Sequence, residues 1–171
     1  MKLDVGCGGS ERFKSHSVRG DVNVDIHKPT CKMPNFILCD AEHLPFKSEV
    51  FNKILMMDVI EHLDAVGNSL KEAHRVLTSN GILIVGTPNA LYLPKVLRGM
   101  FKGDYVASED HIQTWGKFEL ANLFRRVGFN VKIEYRTYLQ SYQFYHKLMR
   151  FVPFASVKHR QLFAVASKNH G

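Results

Sequence analysis

Hydrophobic residues in this chain fall into short runs separated by stretches with helical spacing, a pattern that predicts strands alternating with crossover helices. The runs cover 2–5, 21–24, 36–39, 53–57 and 82–85, with two more at 130–135 and 162–166. Between 65 and 77, Val66, Leu70, Ala73 and Leu77 recur at helical spacing, and Ser79, Asn80 and Gly81 end that pattern. From 117 to 127, Leu120, Leu123, Phe124 and Val127 form a second stripe, closed by Gly128 as a left-handed cap. Both stripes are read as core faces lying on a parallel sheet. The early crossovers are short, with Pro29 and Pro34 interrupting the stretch between Asp25 and Phe36. One face of the sheet is therefore expected to be thinly covered in its first half.

Polar residues gather at successive strand ends. The segment LDVGCGG at 3–9 places Asp4 on a strand and Gly6, Gly8 and Gly9 in the turn that follows. Glycine lets backbone approach a ligand closely, and free amides there can hold an anion. Asp25 ends the next run, where a nucleotide-binding α/β sheet places a carboxylate on ribose hydroxyls. Asp40, in LCDAEHLPF, stands at the third strand end, and a carboxylate there can accept from an exocyclic adenine amine. Strand four leads into MMDVIEHL, with Asp58, Glu61 and His62, and strand five into Thr87, Pro88 and Asn89. Open α/β sheets bind ligands along this edge.

Composition changes the picture little. The 171 residues suit one domain, 1–171, of ordinary apolar content. A formal charge of +7 favours anionic partners such as nucleic acid, a membrane surface or an acidic substrate, but the basic residues are scattered. No apolar run reaches membrane-spanning length, and the glycine motif starts too early to leave room for a signal peptide. A cytoplasmic location is the expectation. His27, Cys31, Cys39 and His43 have the spacing of a loose zinc site. The plainer reading, a small apolar thiol at Cys39 inside a buried strand, is preferred.

The succession LDVGCGG, VNVD, CDAEHLPF, FNKILMMDVIEHL, KEAHRVLTSNGILIVGTPN and RRVGF resembles class I S-adenosylmethionine-dependent methyltransferases from Leu3 to about Tyr135. The likeness is to the small-molecule branch that includes ubiquinone- and menaquinone-biosynthesis enzymes. It implies a Rossmann-like α/β fold: a seven-stranded, mostly parallel sheet with an antiparallel last strand and, here, reduced early crossover helices. It implies S-adenosylmethionine as cofactor and S-adenosylhomocysteine as product. By that resemblance Gly6, Cys7 and Gly8 hold the methionine part with Asp4 nearby. Asp25 and Ile26 meet the ribose, Asp40 and Ala41 the adenine, and Met57 lines the sulfonium side. Family members usually carry a helix before the first strand, whereas the sequence here opens on the strand motif itself.

An oxygen or nitrogen acceptor must lose a proton, so a base is expected near the methyl group. His62 is the first candidate and His111, in EDHIQTW, the second. Asp58, Glu61 and His62 also resemble the E-x-x-E-H pattern of ubiquinone-type O-methyltransferases, with Asp for the first Glu. That cluster can hold a divalent cation in the group; an acidic helix start is the plainer reading, and no metal ligand is assigned. The stretches 91–115 and 136–160 are expected to cover the acceptor side, with Gly99 and Gly103 as flexible points in the first. Within the second, the aromatic and basic 138–154 suits packing on the sheet, with contact to a membrane surface as the rival reading. The expected acceptor is a small or lipid-like molecule, with nucleic acid a lesser expectation and a homodimer left open. Against a nicotinamide-dependent dehydrogenase, the third glycine position of that fingerprint is Glu11. The remaining alternative is an inactive methyltransferase-like module that binds RNA.

Overall fold

The computed structural model describes residues 1–8, 20–30, 32–102, 110–136 and 159–169. Seven strands form one sheet: β1 Lys2–Val5, β2 Val22–Asp25, β3 Phe36–Leu38, β4 Phe51–Met57, β5 Leu77–Pro88, β6 Phe129–Arg136 and β7 Gln161–Lys168. Their spatial order is β3-β2-β1-β4-β5-β7-β6. The first five are mutually parallel, whereas β7 runs antiparallel to both β5 and β6. The order reverses at β1, which lies between β2 and β4, and such a switch point opens a crevice beyond the strands' carboxyl ends.

Burial follows strand position. In the central β4, Ile54, Leu55 and Met56 are all buried, as expected where both faces of a parallel sheet are covered. The outer β3 differs, since Ile37 and Leu38 are exposed. Cys39 lies just beyond β3 and is only half-buried, which corrects the expectation of a thiol inside a buried strand. Its strand is the outermost of the sheet among the described residues.

Between β2 and β3 the described residues hold no helix; side chains bind the backbone there instead. Buried Asn23 donates from Nδ2 to Pro34 O at 2.9 Å, and Asn35 donates to Asp21 O at 2.8 Å. Segment 9–19, between β1 and β2, lies outside the described residues, as do Glu11 and Cys31.

Helix α1, Val66–Val76, buries Val66, Leu70, Ala73 and Val76 on the stripe read from the sequence. Helix α3, Lys117–Arg126, buries Leu120, Ala121 and Phe124. Phe124 packs on Phe129 of β6, whose ring also meets His74 of α1 edge-on at 4.9 Å. Gly128 follows α3 at φ +96°, the left-handed position expected of it.

The helical pattern does end ahead of Ser79, Asn80 and Gly81, but these residues form no loop. The chain passes from α1 directly into β5, and 78–81 bulge opposite the single residue Asn52 before pairing resumes at Lys53 and Ile82. Turn-type residues serve a bulge as readily as a loop, because both need backbone outside the extended region. Gly99 is no flexible point either, for it is buried within helix α2, Leu93–Lys102. Gly103 and the stretch 138–154 lie outside the described residues. No helix among those described is long and apolar enough to cross a membrane.

Candidate functional site

The turn after β1 closes against β2 through its own amides. Gly6 and Cys7 N–H both donate to Val24 O, at 2.9 and 3.2 Å, and Gly8 N–H donates to Asp25 Oδ2 at 3.0 Å. Gly6 and Gly8 adopt φ of +69° and +61°, in a region where L side chains are strained. A Cβ at Gly6 would also run into the Val59 side chain, so glycine is required there twice over. The Asp25 carboxylate is 13% exposed, and its Oδ1 accepts from His27 N–H at 2.9 Å. Each carboxylate oxygen keeps a further lone pair for a ligand hydroxyl. Ile26 is 62% exposed beside it.

Asp40 and Ala41 follow β3, with Asp40 Oδ1 accepting from Glu42 N–H at 2.9 Å. Asp25 and Asp40 converge on Cys39: burial first, then the charges of Asp40 and Asp25, push its thiol pKa up. Asp4 lies half-buried on β1, and Met57 half-buried at the end of β4, its thioether against Gly86 of β5. These positions line one continuous edge from the end of β3 to that of β5.

A second cluster stands beyond β4. Asp58 takes φ +53°, and a 3₁₀ turn, Ile60–His62, follows. Glu61 is only 1% exposed; its Oε2 accepts from Thr87 Oγ1 at 2.9 Å, and its Oε1 has no partner among the described residues. Burial foremost, helped by the charge of Asp58, raises its pKa to about 7. The Glu61 carbonyl receives Ile112 N–H and Gln113 N–H at 3.1 and 3.2 Å, which docks 110–113 onto the turn. His62 Nδ1 donates to Asp110 O at 2.8 Å, and its ring meets that of His111 edge-on at 4.8 Å. Burial, then the His62 and Lys95 charges, hold the His111 pKa below the ordinary histidine value.

One ligand atom from each of Glu61, His62 and His111 falls within 4.8 Å of the others. The sequence pattern grouped Asp58 with Glu61 and His62. The fold instead turns Asp58 toward β7, where its Oδ1 accepts from Gln161 Nε2 at 3.1 Å, and brings in His111. His27, Cys39 and His43 form no metal cluster among the described residues. Thr87 joins this cluster through Glu61, whereas buried Asn89 binds the backbone of His159 and Leu91.

A profile described as a methyltransferase domain matches residues 3–85, a span that includes Asp4, Asp25, Asp40 and Met57. The chain is 30% identical over 108 residues to an uncharacterised protein of Methanocaldococcus jannaschii, covering 60% of this chain and 43% of that one. It is 31% identical over 110 residues to the ubiquinone biosynthesis O-methyltransferase of Azorhizobium caulinodans, covering 51% and 40%. A solved methyltransferase from Thermotoga maritima, described as a possible histamine N-methyltransferase, superposes with a TM-score of 0.68. It shares 19% identity, over 98% of this chain and 82% of that one. Residues 3–85 match the methyltransferase-domain family, and the chain has the fold of solved S-adenosylmethionine-dependent methyltransferases.

It spans less than half the length of the two sequence relatives above. The polar strand ends were readable from sequence, as were His62 and His111, but the contacts that bring these two together were not. Lys95 of α2 was missed, although burial pushes its pKa down against the opposing charge of Glu61. Gln161 was missed as well, since it meets Asp58 only through the antiparallel β7. No local spacing signals either.

Proposed function

We propose that this chain transfers a methyl group from S-adenosylmethionine to a small, proton-bearing acceptor. The observation that carries the reading is the coupling of the glycine turn to Asp25 through the Gly8 amide, at the sheet's switch point. In this reading Gly6, Cys7 and Gly8, with Asp4, address the methionine part of the cofactor. Asp25 and Ile26 address the ribose, Asp40 and Ala41 the adenine, and Met57 the sulfonium side. The bound sulfonium supplies an already activated methyl group, so the protein's task is alignment and exclusion of water. His111 takes the acceptor's proton on a ring nitrogen, because its depressed pKa keeps the ring neutral and able to accept. His62, anchored by its bond to Asp110 O, orients that ring.

A second reading is favoured by the unpartnered Glu61 Oε1 beside two imidazoles. Glu61, His62 and His111 would hold a divalent cation, which would supply Lewis-acid activation of an acceptor oxygen. Manganese binding, followed by electron paramagnetic resonance on wild type and His111→Ala, tests it directly.

Calorimetry with S-adenosylmethionine and S-adenosylhomocysteine on wild type and Asp25→Ala tests the main reading. Micromolar-range binding that the substitution abolishes is the expected result. Well-folded protein that binds neither ligand would overturn it and favour an RNA-binding module, which salt-sensitive binding of RNA would reveal.

A further inference from the structure

The segment 39–50 joins β3 to β4 and carries Asp40 and Ala41, yet most of it has no strand or helix partner of its own. Its path is set by α1. Arg75 donates from Nη1 to Phe46 O at 2.7 Å and from Nη2 to Leu44 O at 3.0 Å. Glu72 accepts from Leu44 N–H through Oε2 at 2.9 Å. The two side chains are joined in a fork, Arg75 Nε to Glu72 Oε1 at 2.7 Å and Nη2 to Oε2 at 2.8 Å. One turn of helix thus satisfies three backbone groups of this loop.

The same segment is fastened at other points. Glu42 Oε1 accepts from Ala65 N–H at 2.8 Å, at the start of α1. Leu44 is buried, and Phe46 meets Phe51 edge-on at 4.9 Å. At its upstream end Asp40 closes the turn on Glu42 and His43 N–H. The stretch 40–44 is therefore held between the end of β3 and the Glu72–Arg75 fork. The Arg75 hydrogen bond, followed by that from Leu44 N–H, holds the Glu72 carboxyl below the ordinary range, which marks the fork as formed with Glu72 ionised.

We infer that Glu72 and Arg75 are positioning residues for adenine recognition, fixing the loop that presents Asp40 and Ala41 without touching the cofactor. This rests on the cofactor reading above. A planar guanidinium suits the task because it binds two carbonyls and a carboxylate in one fixed geometry, which lysine cannot reproduce.

The test measures affinity for S-adenosylhomocysteine and for S-ribosylhomocysteine, which lacks the adenine, by calorimetry on wild type, Arg75→Ala and Arg75→Lys. Near-ultraviolet circular dichroism establishes that each variant is folded. Arg75→Ala is expected to weaken S-adenosylhomocysteine by about tenfold or more, the scale typical of a lost supporting shell. Its affinity for S-ribosylhomocysteine, titrated in the millimolar range where needed, stays as in wild type. Arg75→Lys falls between, and carries the test alone if the alanine variant does not fold. Equal losses for both ligands would mean a general structural role and would overturn the inference, as would an unchanged ratio. Wild type that binds neither ligand would overturn the cofactor reading itself and this role with it.

Discussion

Substituting Gly6 by alanine separates two demands that the structure places on one residue. The backbone there sits at φ +69°, and a Cβ would collide with Val59, a buried residue on the turn after β4. The left-handed conformation costs an L residue about 1–2 kcal/mol. Forcing a methyl group into packed surroundings costs about 1–3 kcal/mol. Together Gly6→Ala should destabilise by about 2–5 kcal/mol, a large share of an ordinary domain's stability. Urea unfolding of wild type, Gly6→Ala, Val59→Ala and the double variant resolves the parts. Removing the Val59 methyls makes room for the new one, so the double variant should be more stable than the two single effects sum to, by about 1–3 kcal/mol. The conformational cost remains, because nothing at Val59 changes φ. Strict additivity, or a cost of Gly6→Ala below about 1 kcal/mol, would refute the reasoning.

Three further outcomes follow from the buried groups. The folded-state pKa of Glu61 is raised from 4.5 to about 7, so the folded chain binds that proton more readily than the unfolded one. The associated stability is fully present below pH 4.5 and is lost as pH rises through about 7, amounting to about 3 kcal/mol. Urea midpoints of chelator-treated protein should fall between about pH 5 and pH 8, and Glu61→Gln should flatten that fall. Thr87→Val preserves shape but removes the hydroxyl that bonds Glu61 Oε2, so it should raise the Glu61 pKa further, seen as the same fall displaced to higher pH. Leu70→Ala, at a fully buried position on α1, should cost about 2–5 kcal/mol in urea unfolding.

The sheet was legible because each strand's pattern reports its own surroundings. The continuous apolar run at 53–57 falls in central β4, and the alternation at 130–135 falls in edge strand β6, where inward Phe129 and Ile133 alternate with Asn130, Lys132 and Glu134. Gly128 and the glycine turn at Gly6 and Gly8 were legible for a related reason: a left-handed cap and a glycine turn constrain residue type at the position itself. At 78–81, glycine, serine and asparagine report only that the backbone departs from helical geometry. Whether it departs as a turn or as a bulge depends on the partner strand, here Lys53 resuming the ladder with Ile82.

The grouping of Glu61, His62 and His111 was illegible for a different reason. His111 reaches His62 and Glu61 across about fifty residues of chain, and the bonds that bring it there run from the Ile112 and Gln113 amides to the Glu61 carbonyl. Backbone amides are carried by every residue except proline, so such a docking leaves almost no mark in residue type. Two side-chain bonds add to it, from Gln113 Nε2 to Leu63 O and from His62 Nδ1 to Asp110 O, each at 2.8 Å. The same logic explains why Asp58, part of a recognisable sequence pattern, turns toward Gln161 while His111 takes the place beside Glu61 and His62. A motif fixes which groups are available near a strand end. The segment that folds over that end decides which of them meet, and its own sequence need record little more than the absence of proline at the docking amides.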